Sequence, residues 1–168
     1  MKLTVKETVT FALLGVVMFV SKIAMEALPN IHLLAVLTVT YTIVFRKKAL
    51  YPLYVYVLLN GLVSGFNLWW IPYLYIWTIL WAVTMLLPKN MNKKIAVPVY
   101  MMVCGLHGLL FGVMYAPAQA LMYGLSFKGT IAWIVAGFPF DAIQGVGNFV
   151  LGLLVLPLTK IIRIAMKE

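Results

Sequence analysis

From Pro139 to Lys160 the sequence reads PFDAIQGVGNFVLGLLVLPLTK, an apolar run long enough to cross a bilayer that nevertheless carries Asp141, Gln144 and Asn148. Steps of three and four residues separate these polar side chains, which puts them on one face of a helix. A polar face exposed to hydrocarbon is costly, so it must turn toward a cavity or toward other helices. The rest of the chain then has to supply the wall around it.

Composition identifies the solvent of that wall. The sequence is 64% apolar and 10% charged, with a mean hydropathy of +1.03, far from the values of a water-soluble domain. These values describe a polytopic membrane protein, and 168 residues read as one transmembrane domain with no room for a nucleotide-binding lobe or a nucleic-acid module. The single cysteine, Cys104, lies in an apolar run, which excludes a disulfide framework and a thiolate metal site. A net charge of +9 is compatible with nucleic-acid binding, but the basic residues fall at the ends of apolar segments, where they orient a membrane protein.

Six spans are expected, at about 9–28, 31–45, 50–66, 69–87, 95–116 and 139–158. No small-residue cleavage site follows the first run, so it reads as a retained helix rather than a signal peptide. The second is short for about 30 Å of hydrocarbon and is stopped by Arg46, Lys47 and Lys48. Residues 118–130 read as an interfacial loop or short helix, and the last span is expected to begin near Pro139, where a proline forfeits no needed hydrogen bond. With six spans and a cytoplasmic N-terminus, Lys2, Lys6, Arg46, Lys47, Lys48, Lys89, Lys93, Lys94, Lys160, Arg163 and Lys167 all fall on the cytoplasmic side. That is eleven of the thirteen basic residues, leaving Lys22 and Lys128 outside, so both termini are expected to be cytoplasmic. Trp69, Trp70, Tyr73, Tyr75 and Trp77 then begin the fourth span at the outer interface, which suits amphipathic rings.

This topology collects the polar residues in the outer half. Lys22 and Glu26 are four apart and read either as a self-neutralising pair at the interface or as part of an outward-facing site. Asp141 reads either as the cap of its own helix or as a cavity residue. His107 and Asn148 lie within apolar stretches, where they either bond across the bundle or line a cavity. A cavity lined by His107, Asp141, Gln144 and Asn148 and covered by Trp69, Trp70 or Tyr73, with the Ile31–His32 turn helping to close it, would suit a small heterocyclic solute. The sequence has no paired acidic cluster, no histidine pair at metal spacing and no glycine-rich phosphate loop, so neither an enzymatic activity nor a cofactor is expected.

The run Gly137-Phe-Pro-Phe-Asp141-Ala-Ile-Gln144-Gly-Val-Gly-Asn148, followed by an apolar span and a basic end, resembles the last helix of the substrate-binding S components of energy-coupling factor (ECF) transporters. The run GLHGLLFG at Gly105–Gly112 and the six-span plan with both ends inside are similar to them too. The resemblance implies a multi-pass protein of a prokaryotic plasma membrane that captures a vitamin-like micronutrient at the outer face. It also implies docking on a transmembrane T subunit energised by two cytoplasmic ATPases. Family members carry two alanines four apart on the first helix as part of the docking surface. The matching region here offers Ala12, Gly15, Ser21 and Ala24, with small residues three apart instead. Two rival readings are a self-sufficient secondary transporter or channel using His107 and Asp141 as a proton relay, and a membrane scaffold without a small ligand.

Overall fold

The computed structural model describes residues 3–89 and 91–166, so Lys2 and Lys167 of the charge pattern lie outside the described residues. Every regular element among them is helical. In chain order they are α1 (Val5–Ala24), α2 (Leu34–Phe45), α3 (Leu50–Ser64), α4 (Tyr73–Leu86), α5 (Lys93–Leu109), α6 (Phe111–Tyr123), α7 (Phe127–Leu151) and α8 (Val155–Ala165). Single 3-10 turns at Arg46–Ala49, Leu68–Trp70 and Gly152–Leu154 extend α2, α4 and α7.

Among the described residues, four helical stretches are long and apolar enough to cross a bilayer: Val5–Ala24, Leu68–Leu86, Lys93–Tyr123 and Phe127–Ala165. Four of the six expected spans are therefore carried by helices of spanning length. The other two, α2 and α3, have 12 and 15 residues, short of the roughly 20 that hydrocarbon demands. The physical reason for the shortness of α2 is its position. Leu34 through Thr42 are buried without interruption, so protein surrounds the helix on every side and no lipid thickness dictates its length. It forms the axis of the bundle, and its Val36, Val39 and Tyr41 share one core with Leu53, Tyr56, Trp77, Leu80 and Val155.

Around that axis, α1 lies against α3, where Gly15 lets the two backbones approach. A Cβ at Gly15 would sit 2.8 Å from the Pro52 carbonyl oxygen and 2.5 Å from Val55 Cγ1. Thr4 caps α1, and Glu7 closes a capping box by accepting from the Thr4 amide at 3.1 Å. Glu7 also pairs with Lys48, just beyond α2. Arg46 donates to the Met85 carbonyl at 2.7 Å, neutralising the end of α4, while Trp81 donates to the Arg46 carbonyl at 3.1 Å. The start of α1, the end of α2 and the end of α4 thus meet at one end of the bundle. Lys22 is in the last turn of α1 at its other end, and Glu26 and His32 lie just beyond it.

Two expected boundaries are corrected. The segment 118–130 is mostly helical, because α6 continues through Pro117 to Tyr123 before Gly124, at φ +64°, terminates it. Pro139 lies inside α7 rather than at its start. Ser126 caps that helix by accepting from the Gly129 amide at 3.1 Å, and the 25-residue helix runs on past the proline. Proline costs an interior helix one hydrogen bond, and a well-packed transmembrane helix absorbs that loss.

Candidate functional site

The site is built on the seam between α5 and α7, where glycines take the place of side chains. A Cβ at Gly105 would lie 2.9 Å from the Phe149 Cβ, and one at Gly108 would lie 2.8 Å from the Gln144 carbonyl oxygen. Beyond α7, a Cβ at Gly152 would meet the Met101 backbone at 2.6 Å. Such contact between backbones fixes α7 in rotation, so its polar face points in a single direction.

Along that face the three polar residues are all buried but differ in role. Asp141 accepts a hydrogen bond from the Gly112 amide at 3.0 Å. Gly112 is in the first turn of α6, just past the break at Leu110, where amides have no carbonyl partner within the helix. The Asp141 carboxylate therefore caps the start of α6, a helix other than its own. Gln144, one turn on, leaves its Nε2 without a partner in the protein, and Asn148, wholly buried, leaves both Nδ2 and Oδ1 unpartnered.

Trp77 of α4, 1% exposed, centres a cluster of rings. Its ring meets His107 at 5.3 Å between centroids, Phe111 at 5.9 Å, and Tyr56, Tyr73 and His32 at 6.1 Å. Two helical pairs four residues apart, Tyr73 with Trp77 and His107 with Phe111, face each other across this box. His107 Nε2 lies 3.3 Å from the Ile76 carbonyl, which can only accept, so Nε2 carries the hydrogen and the neutral ring offers Nδ1 as an acceptor. His107 Nδ1, His32 Nδ1, Trp77 Nε1 and the Tyr56 hydroxyl are buried without a protein partner. A cavity of about 230 Å³ opens onto this region at the α1–α2 turn, lined by Lys22, Glu26, His32, Tyr73, Phe111 and Gln144 among others. At its mouth Lys22 and Glu26 form an ion pair at 3.5 Å.

Of the residues expected from sequence to bind a solute, His32, Tyr73 and Gln144 line this cavity, and His107 belongs to the aromatic box. Asn148 lies one turn below Gln144 on the same face. Trp70 is not brought there: its Nε1 donates to the Val57 carbonyl at 2.8 Å and its ring packs on Phe66 at 5.0 Å, which ties the Leu68–Trp70 turn to α3. Trp77, Phe111 and Tyr56 were not singled out from sequence as site residues, although the four-residue spacings from Tyr73 and His107 were there to be read. Of the expected docking residues, Ala12 and Ala24 are exposed, and Ser21 is half-buried with its hydroxyl donating to the Met18 carbonyl at 2.8 Å. Gly15 is corrected: buried against α3, it serves packing inside the bundle and presents nothing to a partner.

Comparison with protein-family models, curated proteins and solved structures finds no match to this chain. The chemistry of the site accordingly rests on its own atoms. Flat rings and buried neutral amides and imidazoles are the groups that recognition of a small planar molecule calls for.

Proposed function

We propose that this chain is a substrate-binding S component of an ECF transporter, which takes a small heterocyclic, vitamin-like solute from outside a prokaryotic cell. In this reading it has six spans and cytoplasmic termini. Binding is its direct activity, and ATP is hydrolysed by two ATPase subunits that act through a T subunit. The observation that carries the reading is the box around Trp77. Buried polar atoms are satisfied in native proteins with few exceptions, and here several without protein partners gather beside a cluster of edge-on and tilted rings and a cavity in an otherwise apolar bundle.

The topology draws support from one ion pair and one hydrogen bond to a backbone carbonyl. Glu7–Lys48 and Arg46–Met85 bring the start of α1 and the ends of α2 and α4 to one pole, where the basic clusters gather. The positive-inside rule assigns that pole to the cytoplasm, and the cavity then opens outward. Helix α2, sheathed by its neighbours, can complete a crossing together with the turns at its ends. For docking, α1 offers an apolar face that includes Leu13, Val16, Val17 and Val20, beside the small residues Ala12 and Ala24.

The test is accumulation of solute by cells that co-express the chain with T and ATPase subunits. A catalytically dead ATPase pair should abolish accumulation while leaving binding to the purified chain intact. The break at Leu110, closed by Asp141, favours one alternative, a secondary transporter that works through a discontinuous helix. Solute uptake by proteoliposomes containing this chain alone would establish that alternative and sink the S-component reading.

A further inference from the structure

We propose that a groove on the outside of α3 binds an anionic phospholipid, with one acyl chain lying along the helix and the headgroup phosphate on Lys47. This site is separate from the solute cavity, with which it shares no residue.

The groove follows from helical spacing. Leu50, Tyr54 and Leu58 are four apart, as are Tyr51 and Val55, so α3 carries two parallel ridges with a furrow between them. Each ridge is braced by a neighbouring helix. Tyr51 stacks on Phe11 of α1, with ring centroids 5.9 Å apart and planes within 5° of parallel. On the other side the Tyr54 hydroxyl donates to the Leu74 carbonyl of α4 at 3.0 Å and lies 2.9 Å from the Thr78 hydroxyl. The groove has a volume of about 580 Å³ and is lined by these five α3 side chains together with Lys47. From Leu50 to Leu58 it runs about 12 Å along the helix. Tyr51, Tyr54 and Leu58 are all exposed, so no described segment of the chain fills it.

Lys47 decides what kind of molecule lies there. Of the three adjacent cations that follow α2, Arg46 is engaged by the Met85 carbonyl and Lys48 by Glu7. Lys47 is exposed and, among the described residues, has neither an ion pair nor a hydrogen bond. The protein does not neutralise it from elsewhere: Glu7 pairs with Lys48, Glu26 with Lys22, and Asp141 caps α6. An apolar channel headed by a free cation is the complement of an apolar chain headed by an anion. A lysine packs its stem along hydrocarbon while its ammonium reaches the headgroups, where anionic lipids attract it.

The test is native mass spectrometry of the full-length chain in mild detergent, titrated with phosphatidylglycerol or with phosphatidylcholine of the same acyl chains. One lysine at an anionic headgroup should make the first phosphatidylglycerol bind about fivefold tighter than the first phosphatidylcholine. Lys47→Gln should remove that preference, and Lys160→Gln, the same change on α8, should leave it. Leu58→Trp, which narrows the groove and keeps Lys47, should lose the tightly held first lipid of either kind. Lys47 and Leu58 are exposed, so neither variant disturbs the core. A preference that survives Lys47→Gln, or that Lys160→Gln removes equally, overturns the proposal. Displacement of the lipid by glycerophosphate overturns it too, since the site would then be a phosphate contact without a chain. A dimeric chain that Leu58→Trp turns into monomers would give the groove to a second copy, and that also overturns the proposal.

Discussion

Replacing Gly108 by alanine adds one methyl group at the point where α5 touches α7, and the structure indicates what that methyl would do. An ideal Cβ there lies 2.8 Å from the Gln144 carbonyl oxygen, 2.9 Å from its carbonyl carbon and 2.8 Å from Asn148 Nδ2. Ordinary contact begins at 3.4 Å, and two of these three atoms are backbone, so no side-chain rotation relieves the clash. The helices must separate by about half an ångström, which in a packed interior costs about 1–3 kcal/mol. Alanine's better helix propensity returns up to about 1 kcal/mol in water. It returns less in detergent, where the denatured chain keeps much of its helix. A net loss of about 1–2 kcal/mol corresponds to a melting temperature lowered by about 2–8 °C for a chain of this size. Cys104, the sole cysteine and wholly buried one turn before Gly108, provides the assay, since a thiol-reactive dye lights up only when α5 opens. Gly137→Ala is the control: its Cβ meets nothing within 4 Å, so that variant should melt at or slightly above the wild-type temperature. Because the displaced atoms belong to Gln144 and Asn148, Gly108→Ala should also weaken solute binding, and Gly137→Ala should not. A Gly108→Ala protein as stable as wild type would refute the close-packed seam.

The cap that Asp141 places on α6 gives a second test by the same dye. Asp141→Leu leaves the Gly112 amide buried without a partner and should cost about 1–3 kcal/mol. Asp141→Asn keeps an acceptor and should cost less, so equal losses would argue against the cap. Arg46 holds a left-handed backbone, φ 52°, that glycine tolerates and alanine does not. Both Arg46→Gly and Arg46→Ala lose the bond to Met85, so the glycine variant should be the more stable of the two by about 1 kcal/mol or more. An alanine variant melting as high as the glycine variant would show that the backbone there is unstrained.

The polar face of α7 was legible because a helical period of three and four residues is local: Asp141, Gln144 and Asn148 needed no partner to be placed together. The inward turn of that face followed from the solvent, and Gln144 and Asn148 are buried as hydrocarbon demands. What Asp141 does was not legible, because its partner Gly112 is 29 residues away and becomes available only through a break at Leu110 that no proline or polar residue marks. Pro139 misled for a related reason. A proline ends helices in water, but with Ser126 already capping upstream the longer apolar stretch outweighs the single lost bond. Trp70 and Trp77 read alike in sequence as interfacial aromatics. Only packing separates the one that pins a turn to α3 from the one at the centre of the box. Gly15 shows the same limit, since a small residue on a membrane helix permits close approach without saying whether the neighbour is another chain or, as here, α3.

The central claim, that the buried atoms around Trp77 await a solute, is tested most directly by native mass spectrometry of the wild-type chain purified in mild detergent from cells grown in rich medium. The account predicts a retained small molecule that disappears in Asn148→Leu and in Trp77→Ala, while both variants stay monodisperse. A wild-type protein that is empty, and that takes up nothing from an extract of the same medium, would contradict it.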